Sequence, residues 1–315
     1  MAPTDNKKPK YVLISPCRNE AEYMRETLDT VLSQSFPPSL WVIVDDGSTD
    51  ETPKILAQYA EKHPVIRIVT RSDRGHRAVG PGVIDAFYAG YETVKRGEFE
   101  YICKLDLDLR LPPRYFEILI GRMEADPLIA TCSGKAYIYE DGKLRFERHG
   151  DDMSLGMTKL YRLSQFEAIG GFVKEVMWDG IDCHRCRMNG WKALSWDEEE
   201  LRFVHLRPMG SSQTGILTGR MRHGFGQYFM GTGFPFILAS SLSRINQRPY
   251  VIGSLAVVWG WLKSALQRKP RYGDPDFRKF LRKYQWSVLF RGKDRVLREM
   301  ESKRRPGNEA NPRPR

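Results

Sequence analysis

Two carboxylates spaced two residues apart, Asp106 and Asp108, follow a short apolar stretch at residues 101–105. In an extended strand residues i and i+2 point to the same side, so both side chains can face one point where the strand ends. Carboxylate oxygens are hard ligands, and two of them leave the other coordination positions of Mg²⁺ or Mn²⁺ to water and phosphate. Solvated turn residues give the same pattern, so the pair alone does not identify a metal site, and the surrounding segments must decide between the two.

Two more polar clusters follow apolar stretches earlier in the chain. Arg18 and Glu20 come after residues 11–15, and Asp45 and Asp46 come after residues 40–44. Helical spacing of apolar residues separates these stretches, which predicts the order strand, helix, strand, helix, strand and a mostly parallel sheet covered on both faces. Ligands of such sheets bind at the carboxyl ends of the strands. The three clusters are therefore expected at one edge of an α/β domain.

Residues 71–88 form a basic, glycine-bearing segment that leads into a predicted helix. A loop followed by a helix N-terminus is a reasonable anion site, and Arg77 is its candidate phosphate contact. A solvated basic loop has the same composition. The segment is not a Rossmann fingerprint, because Asp85 stands where a third glycine would be required after Gly80 and Gly82.

The charge of the chain is unevenly distributed. The net charge is +11, but residues 211–315 hold 21 of the 50 Lys and Arg residues and 6 of the 39 Asp and Glu residues, which gives +15 there and −4 before it. A basic, aromatic-rich segment favours an anionic partner, such as a membrane leaflet or nucleic acid. Residues 1–10 are predicted to be a disordered tail without a signal peptide, and residues 293–315 a basic tail.

The C-terminal region, residues 211–292, has the pattern of helices at a membrane interface. Its apolar stretches, 229–242 and 251–262, are shorter than the roughly 20 residues that span a bilayer. A further set of apolar residues recurs at helical spacing opposite basic residues: Phe277, Phe280, Leu281, Tyr284 and Val288. This pattern predicts an amphipathic helix lying on an anionic membrane. Helices packed on the preceding domain, with a solvated basic face, are the alternative.

The five cysteines indicate a reducing compartment. Their number is odd, and Cys103 falls in a predicted buried strand. Cys183 and Cys186 lack a second pair at zinc spacing, so they are interpreted as residues of a helix face. The cysteines, the N-terminal segment without a signal peptide and the amphipathic C-terminal region together predict a cytoplasmic protein. It is expected to be peripheral on the cytoplasmic face of the cell membrane.

Taken in order, these segments resemble inverting glycosyltransferases of family 2, which have the GT-A fold. The resemblance covers about residues 10–210 and rests on five pieces: Pro16-x-Arg18-Asn19-Glu20, Val44-Asp45-Asp46-Gly47-Ser48-Thr49-Asp50, Asp106-x-Asp108, Gly170-Gly171-Phe172, and Asp179-Gly180-Ile181-Asp182 before a helix that ends at Gly190-Trp191. Each piece is short, and their joint order and spacing are specific. The resemblance implies a GT-A domain over residues 11–210 followed by the helical extension.

The resemblance also implies roles for single residues. Pro16, Arg18 and Glu20 would border the base and ribose of a sugar nucleotide, and Asp46 would hydrogen-bond the base. Asp106 would contact the ribose or the water shell of the metal. Asp108 would bind the Mg²⁺ or Mn²⁺ that bridges the diphosphate.

The resemblance leaves two candidates for the general base, which takes the proton of the acceptor hydroxyl. The family has a Glu-Asp pair where this chain has Trp178-Asp179, and counting back from Gly190 without a gap puts Asp179 at the base position, with Asp182 as its competitor. His205 is a candidate third metal or diphosphate ligand, or else a histidine bonded to backbone at a strand end. Lys104 either pairs with phosphate or faces solvent.

The predicted activity is transfer of a sugar from a nucleotide-diphosphate sugar, with UDP guessed from family frequency, to a hydroxyl of a glycan or lipid-linked acceptor. The expected partners are the donor, that acceptor and an anionic membrane surface. Two alternatives remain: a GT-A-like protein that binds sugar nucleotides without catalysis, and a nucleic-acid-binding protein that uses the basic half. No nucleic-acid-binding motif supports the latter.

Overall fold

The computed structural model describes residues 8–73, 75, 80–95, 97–147, 149–207, 216–246 and 250–302. Residues 1–7 of the predicted N-terminal tail, Arg77, and the predicted basic tail beyond residue 302 lie outside the described residues. The chain divides into two compact units. The first comprises Met1–Lys174 and Lys192–Arg207, and the second comprises Glu175–Trp191 and Pro208–Arg315. The sequence prediction had assigned residues 175–191 to the domain over residues 11–210.

The strands are β1 (Tyr11–Cys17), β2 (Leu40–Asp45), β3 (Ile66–Thr70), β4 (Tyr101–Leu105), β5 (Leu109–Arg110), β6 (Ile129–Ser133), β7 (Lys135–Glu140), β8 (Lys143–Phe146), β9 (Thr158–Arg162), β10 (Lys192–Ser195) and β11 (Arg202–His205). The helices of the first unit are α1 (Met24–Leu32), α2 (Thr52–Lys62), α3 (Pro81–Tyr91), α4 (Tyr115–Ala125), α5 (Leu163–Ala168) and a 3₁₀ turn at Glu199–Leu201. Those of the second unit are α6 (Trp178–Met188), α7 (Ile216–Met230), α8 (Phe234–Leu242), α9 (Tyr250–Leu266), α10 (Pro275–Arg291) and α11 (Lys293–Ser302).

The main sheet of the first unit has the strand order β10-β6-β9-β4-β1-β2-β3. β4, β1, β2 and β3 are parallel to one another, and β9 runs antiparallel between β6 and β4. The central strands are buried on both faces, because they are continuous apolar runs: Tyr11–Ile14 and Trp41–Val44 are fully buried. The predicted mostly parallel, mixed α/β sheet is confirmed.

A second, smaller sheet has the order β5-β11-β7-β8. β7 and β8 form a hairpin whose turn residues, Asp141 and Gly142, both have positive φ, as a tight hairpin turn requires. β5 is a two-residue strand that pairs antiparallel with β11, with His205 opposite Leu109. This pairing decides which residues surround Asp108.

The second unit is helical, and its core holds Tyr228, Ile237, Val257 and Trp261. α7 and α9 pack closely through glycines: a Cβ on Gly224 would lie 2.0 Å from the carbonyl oxygen of Val257. No helix in the described part of the chain combines the length and apolarity needed to cross a membrane.

The apolar face of α10 is predicted to lie on a membrane, but in the structure much of it is buried against protein. Phe277, Leu281 and Tyr284 are buried, and Phe277 packs edge-to-face on Tyr272 at 5.1 Å between ring centroids. They belong to the core of the second unit, because helical spacing alone does not distinguish a protein neighbour from a lipid one. The exposed apolar residues of α10 are instead Trp286, Leu289 and Phe290.

Candidate active site

The polar clusters after β1 and β2 lie at one edge of the main sheet. The register pairs Cys17, the last residue of β1, with Asp45, the last residue of β2. The backbone N–H of Asp46 donates to the carbonyl of Cys17 at 2.9 Å, which ties the two loops together where the strands end. This edge is where nucleotides bind in open α/β sheets.

The turn after β2 is fixed by hydrogen bonds and by a glycine that cannot be replaced without strain. Asp45 accepts from the backbone N–H of Ser48 at 2.9 Å, and Asn19 accepts from that of Thr49 at 2.8 Å. Gly47 has φ +74°, and a Cβ there would lie 2.5 Å from the Cα of Asp73. The loops after β1 and β2 therefore form one preformed wall.

Asp46 is 5% exposed and is held by two arginines. Arg71 donates to its carboxylate at 2.9 Å, and Arg18 donates to its backbone carbonyl at 2.6 Å. Arg18 also pairs with Asp73 at 2.5 Å. The predicted Arg18 and Asp46 are thus brought together, next to Pro16 near the end of β1, while Arg71 was missed as a partner.

The spacing of Asp106 and Asp108 suggests an extended strand, but in the structure neither residue lies on one. β4 ends at Leu105, and the chain bends before β5. Asp106 pairs with Lys104 at 2.5 Å, because residues i and i+2 across the strand end share a side. Lys104 is 3% exposed, which excludes the alternative that it faces solvent, while its pairing with phosphate stays a prediction.

Asp108 is 2% exposed and is gripped by residues from β11 and the loop after it. Its Oδ2 lies 2.5 Å from Nε of Arg207 and 3.5 Å from Nε2 of His205. The antiparallel pairing of β5 with β11 causes this convergence, and the N–H of Leu206 donates to the carbonyl of Asp108 at 2.8 Å. Arg207 also pairs with Glu20 at 2.8 Å, so the predicted Glu20 joins the same network.

The electrostatics of this network follow from its contacts. Burial opposes ionisation of Asp108, but the hydrogen bond from His205 and the charge of Arg207 outweigh it and hold the pKa of the carboxyl below its ordinary value. Burial would lower the pKa of His205, but Asp108 and Glu147 raise it to about 9. Nδ1 of His205 lies 3.0 Å from Glu147. The imidazole is therefore a cation between two carboxylates, and the predicted role as a metal ligand requires that it lose its proton.

A divalent cation fits two of the predicted ligands. Oδ1 of Asp108 is buried and has no hydrogen-bond partner among the described residues, while the side chain of Asp106 keeps 32% of its surface exposed. Within the described ranges, no three His, Cys, Asp or Glu side chains are grouped so that they could hold a metal ion. Mg²⁺ and Mn²⁺ in nucleotide sites use one or two carboxylates, with water and phosphate oxygens filling the remaining positions.

The two candidate bases lie in the second unit, at the start of α6. Asp179 is in the first turn of the helix and is partly exposed, whereas Asp182 is 1% exposed and accepts from the N–H of Cys183 at 2.6 Å. The position of Asp179 is at the N-terminal end of α6, which is the positive end of the helix dipole. All five cysteines are free and buried, and Cys103 lies in a buried strand, as predicted.

Sequence reasoning missed Arg207 and Glu147. Arg207 lies two residues after the predicted His205, and i, i+2 spacing at a strand end was the available signal. Nothing in the sequence pointed to Glu147, which follows the hairpin strand β8 and reaches His205 through the fold of the second sheet.

Comparison with known proteins places the chain in a family. The sequence model of the family described as "Glycosyl transferase family 2" matches residues 12–174, just over half of the chain. The putative teichuronic acid biosynthesis glycosyltransferase TuaG of Bacillus subtilis is 34% identical over 137 residues, which cover 44% of this chain and 51% of that protein. The chain spans only 36% to 51% of the length of the first curated relatives that it matches.

Solved structures share the fold. The mannosyltransferase PcManGT from Pyrobaculum calidifontis, solved with GDP-Man and Mn²⁺, is similar over 96% of this chain and 86% of its own, with a TM-score of 0.54 at 18% identity. A fragment of S. aureus TarS in complex with UDP-GlcNAc is similar over 93% of this chain and 90% of its own, with a TM-score of 0.51 at 13% identity. The likeness establishes the GT-A fold. The match of the family model over more than half of the sequence shows that this chain belongs to glycosyl transferase family 2.

Proposed function

We propose that the chain is an inverting glycosyltransferase that moves a sugar from a nucleotide-diphosphate sugar to a hydroxyl of a glycan or lipid-linked acceptor. The observation that carries the proposal is the acidic edge of the main sheet, where Asp46, Asp106 and Asp108 follow the ends of β2 and β4. The Oδ1 atom of Asp108 is a buried acceptor without a hydrogen-bond partner among the described residues, which suits a cation brought in by the donor. The name of TuaG, a putative teichuronic acid biosynthesis glycosyltransferase, supports a role in polysaccharide assembly.

The donor is proposed to bind across the loops after β1 and β2. Pro16, Arg18 and Asp46 border the base and ribose, and the paired arginines hold Asp46 in one orientation. The two structural neighbours carry GDP-Man and UDP-GlcNAc, which supports a sugar nucleotide and leaves the base open. UDP is our choice. Arg77 stays a predicted phosphate contact.

Asp106 and Asp108 are the proposed holders of Mg²⁺ or Mn²⁺, with His205 as a further candidate. When bound, the ion neutralises charge on the diphosphate and makes it a better leaving group. Lys104 orients Asp106 through their ion pair, and Arg207 positions Asp108. Glu20 in turn holds Arg207, so the arginine bridges two acidic side chains.

The reaction is a single displacement. The acceptor oxygen forms a bond to the anomeric carbon as the bond from that carbon to the diphosphate breaks, and the configuration inverts. Asp179 takes the proton of the attacking hydroxyl. Its partial exposure suits a group that must contact an acceptor, whereas Asp182 is almost fully buried.

A donor screen tests the proposal. The full chain is incubated with UDP- and GDP-sugars, with Mn²⁺, Mg²⁺ or chelator, and release of nucleoside diphosphate is measured. The expected result is release from one donor class, stimulated by the cation and abolished by chelator. Absence of release from every donor, with and without lipid and glycan acceptors, would contradict the proposal.

The general base is tested by a matched pair of substitutions on α6. Asp179→Asn should lower kcat about 10²–10⁴-fold, since the carboxylate that receives the proton is lost. Asp182→Asn should retain most of the activity. The opposite ranking, with both variants folded, would transfer the role to Asp182.

We further propose that the second unit associates with an anionic membrane surface on its cytoplasmic face. The proposal is supported by apolar side chains exposed on one face of α9: Ile252 at 61%, Leu255 at 62% and Trp259 at 53%. The excess of basic residues after residue 210 complements anionic lipid. Flotation with anionic and neutral vesicles tests it: Leu255→Asp should reduce binding, and equal flotation with neutral vesicles would contradict the role of charge.

A further inference from the structure

A cavity of about 290 Å³ lies in the second unit, and its lining residues include none of the proposed donor, metal or base residues. Aromatic side chains and two arginines line it together, including Phe234, Trp261, Trp286, Arg271 and Arg282. The start of α8, a turn of α10 and the segment between α9 and α10 form its walls. The combination of aromatic surface and cationic groups is the feature that calls for a ligand.

The cavity is positively charged. Among the described residues, neither Arg271 nor Arg282 makes an ion pair with a carboxylate, and Arg271 packs its guanidinium over the ring of Tyr228 at 4.6 Å. The nine-residue helix α8 begins at the cavity without a side-chain cap. Its positive dipole end therefore adds to the two arginines. An anion with several oxygens, such as a phosphate, would satisfy this arrangement.

The cavity also opens onto apolar surface. Phe234 is 37% exposed, Trp286 48% and Leu289 36%, and all three line the cavity. Phe290 follows on α10 with 79% of its surface exposed and stacks on Trp286 at 5.6 Å between centroids. A free sugar phosphate is polar and would leave these apolar side chains exposed, whereas a phosphate attached to an apolar chain would bury them.

The floor of the cavity is preformed. Gln285 is 4% exposed, accepts from the backbone N–H of Gly233 at 3.0 Å and donates to the hydroxyl of Thr232 at 3.1 Å. Trp261 donates its indole N–H to the carbonyl of Thr232 at 3.1 Å. These bonds fix the turn before α8, so little ordering is required when a ligand binds.

We propose that this cavity binds the phosphate headgroup of an amphiphile, a lipid phosphate. Arg271 and Arg282 pair with the phosphate oxygens, and the apolar chain lies along Phe234, Trp286 and Leu289. The lining of this cavity shares no residue with the proposed donor site, and binding is measured without turnover. Its failure would leave the transferase proposal intact.

Calorimetric titration of the full chain tests the proposal with three soluble probes: dihexanoyl phosphatidic acid below its micelle concentration, inorganic phosphate and dihexanoylglycerol. The phosphatidic acid should bind, inorganic phosphate should bind at least tenfold more weakly, and dihexanoylglycerol should not bind measurably. Inorganic phosphate binding as tightly as the lipid phosphate would overturn the apolar part of the site.

Substitutions locate the binding. Arg271→Gln with Arg282→Gln should weaken phosphatidic acid binding at least tenfold. Lys279→Gln with Lys283→Gln removes the same charge from exposed positions of α10 outside the cavity lining, and should change it less than threefold. Trp286→Ala should weaken binding of the lipid phosphate but not that of inorganic phosphate. Equal losses in the arginine and lysine pairs, with both variants folded, would reduce the site to general surface charge and overturn the proposal.

Discussion

Replacement of Arg207 by methionine tests whether Asp108 depends on a buried counter-charge. Arg207 contacts two carboxylates, Asp108 at 2.5 Å and Glu20 at 2.8 Å, and those residues are 2% and 4% exposed. Methionine keeps an apolar stem but removes the charge. The buried carboxylates of Asp108 and Glu20 then lose their shared counter-charge and repel each other. Breaking a buried ion pair from one side costs about 3–5 kcal/mol. Because His205 still faces Asp108 at 3.5 Å, we expect a loss of about 3 kcal/mol.

The control lies on β11, five residues earlier. Arg202 pairs with Asp197 at 2.7 Å, but their side chains are 41% and 39% exposed, so Arg202→Met should cost about 0–1 kcal/mol. Unfolding is followed by urea-dependent hydrogen exchange of the backbone amides of β4, which reports on the first unit alone. Chelator is present throughout, because a bound cation would compensate for the missing arginine.

The comparison of the two variants shows whether the buried carboxylates require the charge of Arg207. A loss in Arg207→Met below about 1 kcal/mol, equal to that in Arg202→Met, would show that Asp108 and Glu20 do not need the arginine. Partial recovery of stability in the double variant Arg207→Met with Asp108→Asn would support the pairing, since one of the two uncompensated charges is then removed.

Three further predictions concern other features. Gly47→Ala should destabilise the first unit by about 2 kcal/mol and weaken nucleotide binding, because a Cβ at φ +74° would lie 2.5 Å from the backbone of Asp73. Gly75 has the same φ, but no atom of the described residues lies within 4 Å of its Cβ position, so urea unfolding should show a smaller loss for Gly75→Ala. Burial and a neighbouring lysine lower the pKa of His149 to about 4, so the unfolded chain binds the proton first and stability should fall by up to about 3 kcal/mol as pH drops from 7 to 4. Thermal or urea unfolding across that range measures the slope, and a slope unchanged in His149→Gln would contradict the assignment. Gly224→Ala should cost about 1–3 kcal/mol, because its Cβ would lie 2.0 Å from a carbonyl oxygen of α9. Gly219 lies on the same helix with no described atom within 4 Å of its Cβ position, so Gly219→Ala should be neutral or stabilising. Equal unfolding midpoints for the two variants would contradict the close contact between α7 and α9.

The central sheet could be predicted from sequence because its strands are buried on both faces. Continuous apolar runs such as residues 11–15 and 40–44, separated by helical spacing, have few other interpretations. The polar residues after those runs followed from topology, since parallel strands end at one edge. The approach of Asp46 to Arg18 is a consequence of that arrangement.

The surroundings of Asp108 could not be predicted, because they depend on pairing between residues almost a hundred positions apart. β5 has only two residues and no periodicity, yet its pairing with β11 brings His205 and Arg207 to Asp108. For α10, the period of apolar residues was recognised but the environment was not. Phe277 and Leu281 pack within the helical unit, and no sequence pattern separates such a face from one that contacts lipid.

The most direct test of the account is the binding of Mn²⁺ in the presence of a nucleoside diphosphate. The nucleoside diphosphate used is the one released from the donor that the screen identifies. Calorimetry on the unmodified chain should reveal one Mn²⁺ site, and Asp108→Asn, which preserves shape but removes the charge, should weaken it at least tenfold while the nucleotide alone still binds. An unchanged Mn²⁺ affinity in a folded Asp108→Asn variant would contradict the assignment of the acidic edge as the cation and diphosphate site.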